Sequence, residues 1–147
     1  MWRDKAVAYW INLISQTSRT HIDRELAPLK LSSGACNILM VLFRQNGMSQ
    51  RDLCRILLVH KANITRALQK LEKQGFVRRK PDPSDSRTYR IYLTNKAHDQ
   101  RSNIKEQLRA WDIHLRESLL PREQEELLRL LRKIAKYLHP SKAGDAL

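Results

Sequence analysis

SQRDLCRILLVHKANITRALQKLEKQGFVRRKPDPSDSRTYRIYLT, residues 49–94, is the stretch whose reading decides the fold. Ser49 has the residue type of a helix N-cap, and Asp52 three positions on places a carboxylate at the positive end of the helix. Leu53, Ile56 and Leu57 then fall on one side of a short helix, and Leu58-Val59-His60 is read as a turn. A second helix is predicted from near Lys61, with Ile64, Leu68 and Leu71 turned inward at three- and four-residue steps and Gly75 ending it. The period then changes. Phe76–Lys80 and Tyr89–Leu93 are short runs rich in β-formers, separated by the polar Pro81-Asp82-Pro83-Ser84-Asp85-Ser86, which predicts a hairpin with a mobile tip.

Outward from this stretch the pattern is helical. Residues 5–26 carry Val7, Trp10, Ile11, Ile14, Ile22 and Leu26 on one stripe, and Pro28 ends the helix. Ser32 or Ser33 can cap a second, strongly apolar helix holding Ile38, Leu39, Val41, Leu42 and Phe43, stopped by Asn46-Gly47. Thr94 or Asn95 can cap a long helix to about Leu119, with Ala97, Ile104, Leu108, Trp111, Leu115 and Leu119 on a narrow seam. Pro121 starts a last helix whose Leu127, Leu128, Leu130, Leu131, Ile134 and Leu138 cover a wider arc than one partner helix requires. That arc and the Trp10 stripe are expected to bury apolar surface against a second copy of the chain. The fold class is therefore mainly α with a small β-hairpin wing. It is expected as a single domain, 1–147, with a winged helix-turn-helix lobe over 31–96 and a helical dimerisation region from 1–30 and 97–140.

Composition narrows the function. The 147 residues hold 28 Lys+Arg against 15 Asp+Glu, a formal net charge of +13. Residues 49–96 hold 12 basic and 4 acidic side chains and so carry +8 of it, whereas 97–147 hold 10 and 8. A basic excess concentrated on the helix-turn-helix and hairpin suits a polyanion, and double-stranded DNA is the expected partner. A basic helix that bound a membrane would need a spare apolar face, and in 61–75 that face is already required by the core, so no membrane partner is expected. The start Met1-Trp2-Arg3-Asp4 lacks a signal peptide's apolar core, and the expected location is cytoplasmic. Four glycines with no glycine-rich phosphate loop, and serines without a His and carboxylate context, argue against an enzyme or a bound cofactor. The five histidines have no metal-site spacing, so no metal is expected, and Cys36 and Cys54 are read as reduced thiols.

In a helix-turn-helix the start of the second helix meets base edges, which nominates Lys61, Asn63, Thr65 and Arg66. Asn63 can pair with adenine in two places and Arg66 with guanine. Lys70, Lys73, Arg78, Arg79, Lys80 and Arg90 suit phosphates. Arg87, at the end of the hairpin loop, is preceded by Asp85, which could hold it extended toward a narrow minor groove.

Asp85-Ser86-Arg87 followed by Leu93-Thr94, after the helix ending Leu71-Glu72-Lys73-Gln74-Gly75-Phe76-Val77, resembles the MarR family of bacterial and archaeal regulators. Its wing signature is an Asp-x-Arg followed six residues later by Leu-Thr. The resemblance extends over nearly the whole chain. It implies a homodimer placing two recognition helices in successive major grooves of a pseudo-palindromic operator, with the wings in flanking minor grooves, usually repressing transcription. It also implies a small aromatic or other amphipathic effector held between the dimer helices and the DNA-binding lobe. Asp85 and Arg87 take the wing roles. Two positions depart from the family pattern: His60 stands where an Asp or Ser commonly caps the recognition helix, and Cys36 where a bulky aromatic is common. The small thiol would leave space beside Trp10, Ile14 and Trp111, a candidate ligand pocket. The alternatives are a redox-sensing regulator acting through Cys36, or a winged-helix module binding nucleic acid or protein without operator specificity.

Overall fold

The computed structural model describes residues 2–140. Six α-helices are present among them: α1 (Val7–Glu25), α2 (Ser33–Arg44), α3 (Gln50–Leu57), α4 (Lys61–Lys73), α5 (Asn95–Arg116) and α6 (Pro121–Leu138). Three short strands, β1 (Met48–Ser49), β2 (Val77–Pro81) and β3 (Tyr89–Leu93), form an antiparallel sheet in the order β1-β3-β2. The chain divides into two compact units, one running to Trp111 and the other starting at Asp112. No described helix is long and apolar enough to cross a membrane.

The first unit is built around α2. Ser32 Oγ accepts from the Ala35 amide at 3.1 Å, satisfying one of the helix's free N–H groups, and Asp23 Oδ1 accepts from the Ser33 amide at 2.6 Å. Cys36, Leu39 and Leu42 are completely buried on this helix, in one core with Leu53 of α3, Leu68 and Leu71 of α4, Phe76, Ile91 of β3, and Ile104 of α5. Burying each such side chain contributes on the order of 1.5–3 kcal/mol. This core sets the rotation of α4 and therefore what α4 presents to solvent.

The sheet corrects the expectation of a hairpin alone. Met48 and Ser49 pair with Ile91 and Arg90, so the segment just before α3 is a third strand that ties the helix-turn-helix to the wing. The junction is reinforced by Asn46, whose Oδ1 accepts from the Gly47 amide at 3.1 Å and from the Leu93 amide at 2.8 Å. Gly47 adopts φ +79°, and a Cβ there would lie 2.8 Å from the Tyr92 ring, so this turn requires glycine twice over. The helix ends also move slightly against expectation. α1 starts at Val7, and α5 stops at Arg116 rather than near Leu119. Thr94 Oγ1 accepts from the Ala97 amide at 3.3 Å and caps α5.

Candidate nucleic-acid interface

α3 and α4 are joined by a three-residue turn in which Leu58 takes the left-handed conformation, φ +56°. On α3, Ser49 Oγ accepts from the Asp52 amide at 3.0 Å and donates to Asp52 Oδ2 at 2.7 Å, the local geometry expected from the spacing. His60 precedes α4 without a side-chain capping bond. Ile64, Leu68 and Leu71 are buried, and this turns Lys61, Asn63, Arg66, Lys70 and Lys73 out to solvent. Periodicity alone thus puts Asn63, Arg66, Lys70 and Lys73 on one exposed side of the helix, while Lys61 is exposed as its first residue. Thr65 is half-buried: its hydroxyl donates to Lys61 O at 2.8 Å and accepts from Gln50 Nε2 at 2.7 Å. Arg66 Nη2 donates to Asn63 Oδ1 at 2.5 Å.

The wing is anchored by two of its own arginines. Arg79 donates through Nε to Glu72 Oε2 at 2.9 Å, with Nη2 at the same distance, which ties β2 to the last turn of α4. Arg90 Nε sits 2.7 Å from Asp82 Oδ2, and its Nη1 donates to Gly47 O at 3.0 Å. Asp82 is 7% exposed. Its Oδ1 accepts from the Ser84 hydroxyl at 2.6 Å and the Ser84 amide at 2.8 Å. Those bonds first, and then the Arg90 charge, hold its carboxyl below the usual carboxylate range. Arg90, nominated from sequence for phosphate, is committed to the base of the wing.

Beyond this anchored base the cations are available. Lys80 is exposed on β2, with its Nζ 5.4 Å from the Tyr92 ring centroid. In the loop, Asp85 Oδ1 accepts from both the Arg87 amide and Arg87 Nε at 3.1 Å, and the Arg87 side chain is 90% exposed. The carboxylate thus orients the arginine while leaving the far edge of its guanidinium to solvent. Lys61, Asn63, Arg66, Lys70, Lys73, Lys80 and Arg87 are exposed in an arrangement suited to DNA phosphates and base edges.

The candidate ligand residues are placed differently. Cys36 has no exposed surface on α2 and so lines no solvent-open pocket, whereas Trp10 and Ile14 on α1 are 44% and 50% exposed. Trp111 on α5 packs against the core and stacks with His21, ring centroids 4.1 Å apart. Among the described residues no group of three His, Cys, Asp or Glu could hold a metal ion. Sequence reasoning missed Gln50 and the Glu72–Arg79 pair. Gln50 meets Thr65 from 15 positions away, and the only local hint was its place at the first turn of α3.

The model of the MarR family matches residues 31–89. The HTH-type transcriptional regulator BilQ of Clostridioides difficile (strain CD3) is 26% identical over 127 residues, covering 86% of each chain. The crystal structure of a MarR transcriptional regulator from Methanosarcina mazei Go1 superposes with a TM-score of 0.85 at 28% identity, over 89% of this chain and 94% of that one. The transcriptional repressor CouR, bound to a 23-mer DNA duplex, shares the fold with a TM-score of 0.81 at 23% identity, over 90% of this chain and 94% of its own.

Proposed function

We propose that this chain is a DNA-binding transcriptional regulator of the MarR family, as the family model over residues 31–89 and the likeness to BilQ support, and that it works as a homodimeric repressor of a pseudo-palindromic operator, released or retained by a small effector. The observation that carries this reading is the exposed side of α4 together with the anchored wing. In each protomer α4 enters a major groove, where Asn63 and Arg66 meet base edges. Lys61, Lys70, Lys73 and Lys80 neutralise phosphates, and Arg87, aimed by Asp85, reaches the minor groove alongside. Arg90 and Arg79 position the wing, and Thr65, held by Gln50, fixes the start of the recognition helix. That CouR, a protein of this fold, is bound to a DNA duplex supports duplex DNA as the partner.

Residues 1–30 and 97–140 supply the dimer, and 31–96 form the reading lobe. The support for dimerisation is the uncovered apolar surface: Val7, Trp10, Ile11, Leu13 and Ile14 are exposed on α1, and none of α6 is buried. The effector is a small aromatic or other amphipathic molecule that would find aromatic surface at Trp10 and Trp111. The test is selection of bound duplexes from a random pool. An inverted repeat with half-sites centred about 10 base pairs, or a multiple of that, apart is the expected result. Enrichment of a single unrepeated site, or of none, contradicts it.

Sensing through Cys36 is disfavoured by its surroundings. Burial pushes its thiol up to about 11, so at pH 7 the thiolate fraction is on the order of one in ten thousand. Hydrogen peroxide is accordingly expected to leave DNA affinity unchanged, as measured by fluorescence anisotropy before and after treatment. A loss of affinity that Cys36→Ser abolishes would establish the thiol as a sensor instead.

A further inference from the structure

Asn63 and Arg66 lie one helical turn apart on the exposed side of α4, and they are bonded to each other, Arg66 Nη2 donating to Asn63 Oδ1. A free asparagine presents one acceptor oxygen and two donor hydrogens. Pairing with adenine in two places needs both kinds, Oδ1 to accept from N6 and Nδ2 to donate to N7. In this protein the carboxamide oxygen is turned to a cation on its own helix. What the pair has left for a ligand is mostly donors, the two Nδ2 hydrogens and the remaining guanidinium N–H groups, against the one remaining lone pair of an Oδ1 already turned toward Arg66. Beside the pair, Thr65 spends its hydroxyl hydrogen on Lys61 O and accepts from Gln50, and Lys61 carries donors only.

The four base pairs differ in the major groove in a way that suits such a surface unequally. Guanine presents two acceptors, N7 and O6, whereas adenine presents one acceptor beside the N6 donor. We infer that Asn63 and Arg66 form one donor-rich reading unit that selects guanine, with Arg66 the residue that turns Asn63 away from adenine. The inference rests on the proposal that α4 reads duplex DNA, and it deepens that proposal by naming the base. Preorganisation adds to it, because an arginine already held by the amide loses less side-chain freedom on binding than a free one.

The experiment is duplex selection from a random pool with the full-length wild type, Asn63→Ala and Arg66→Ala, each checked by far-UV circular dichroism. The position whose base preference changes in either variant is the one the pair reads. The wild type is expected to enrich guanine there and to bind roughly tenfold less tightly when adenine replaces it. Arg66→Ala frees Oδ1, and its preference is expected to turn to adenine at the same position, whereas Asn63→Ala keeps guanine with weaker discrimination. The inference is overturned if Arg66→Ala retains the wild-type preference, or if the wild type itself enriches adenine at that position. A wild type that enriches no sequence at all would instead remove the DNA-reading proposal on which the inference stands.

Discussion

With aspartate at both Leu127 and Leu131, the protein is expected to sediment as a monomer and to lose operator affinity by a factor on the order of 100 or more. The reason lies in α6. Leu127, Leu130 and Leu131 are 41%, 41% and 42% exposed, Ile134 40%, and the helix has no buried residue in the single chain. A helix that apolar is stable in water only when its face is covered. In the proposed dimer a second copy supplies the covering surface, and a carboxylate there would have to be stripped of water without a partner. The loss of DNA affinity follows from the proposed arrangement, in which two linked recognition helices engage two half-sites and an isolated one forfeits the second binding event. Sedimentation gives the assembly, circular dichroism confirms that the helices persist, and anisotropy gives the affinity. A variant that stays dimeric contradicts the placement of the interface, and a folded monomer with undiminished affinity contradicts the two-half-site arrangement.

Phe76→Ala carries the second large effect. Phe76 is fully buried at the point where α4 gives way to the wing. Its amide donates to Leu71 O at 2.9 Å, its carbonyl accepts from the Thr94 amide at 3.0 Å, and Lys96 Nζ lies 4.6 Å from its ring centroid. One residue therefore joins the end of α4, the first wing strand and the start of α5, and its ring fills the core at that junction. Truncating a buried phenylalanine costs about 3–5 kcal/mol, because the cavity collapses only in part. Against a typical total of about 5–15 kcal/mol this is a large share of stability. The unfolding midpoint is expected to fall by roughly 6–20 °C in a scanning thermal melt. A melt superimposable on the wild type would mean that the wing and α4 are not joined through this residue.

The contrast between these sites shows what periodicity can and cannot report. Ile64, Leu68 and Leu71 repeat at helical spacing, so the buried side of α4, and with it the exposed Asn63 and Arg66, could be read directly. Ser49 and Asp52 are three residues apart, close enough for their mutual bonds to be a local property of the chain. β1 is two residues long, too short for alternation to register, and it exists only because β3 lies beside it. The same reason hid the roles of the arginines. Arg79, Lys80 and Arg90 look alike as cations in a basic segment, and only the tertiary fold brings Glu72 to the first and Asp82 with Gly47 O to the last. The α1 stripe was legible as a stripe, but its division was not: Ile22 and Leu26 enter the chain's own core while Val7, Trp10 and Ile14 stay exposed. Cys36 could be identified as a small residue in an apolar helix, yet its complete burial depends on elements distant in sequence.

The central claim, that α4 and the wing read duplex sequence, is tested most directly by the ratio of two affinities. Anisotropy titrations of the full-length protein at one stated salt concentration compare the selected duplex with a scrambled duplex of the same length and composition. The account predicts tighter binding to the selected duplex by a factor of about 1,000 or more. Equal affinity for the two duplexes would contradict it, leaving the basic surface as an electrostatic contact with no sequence preference.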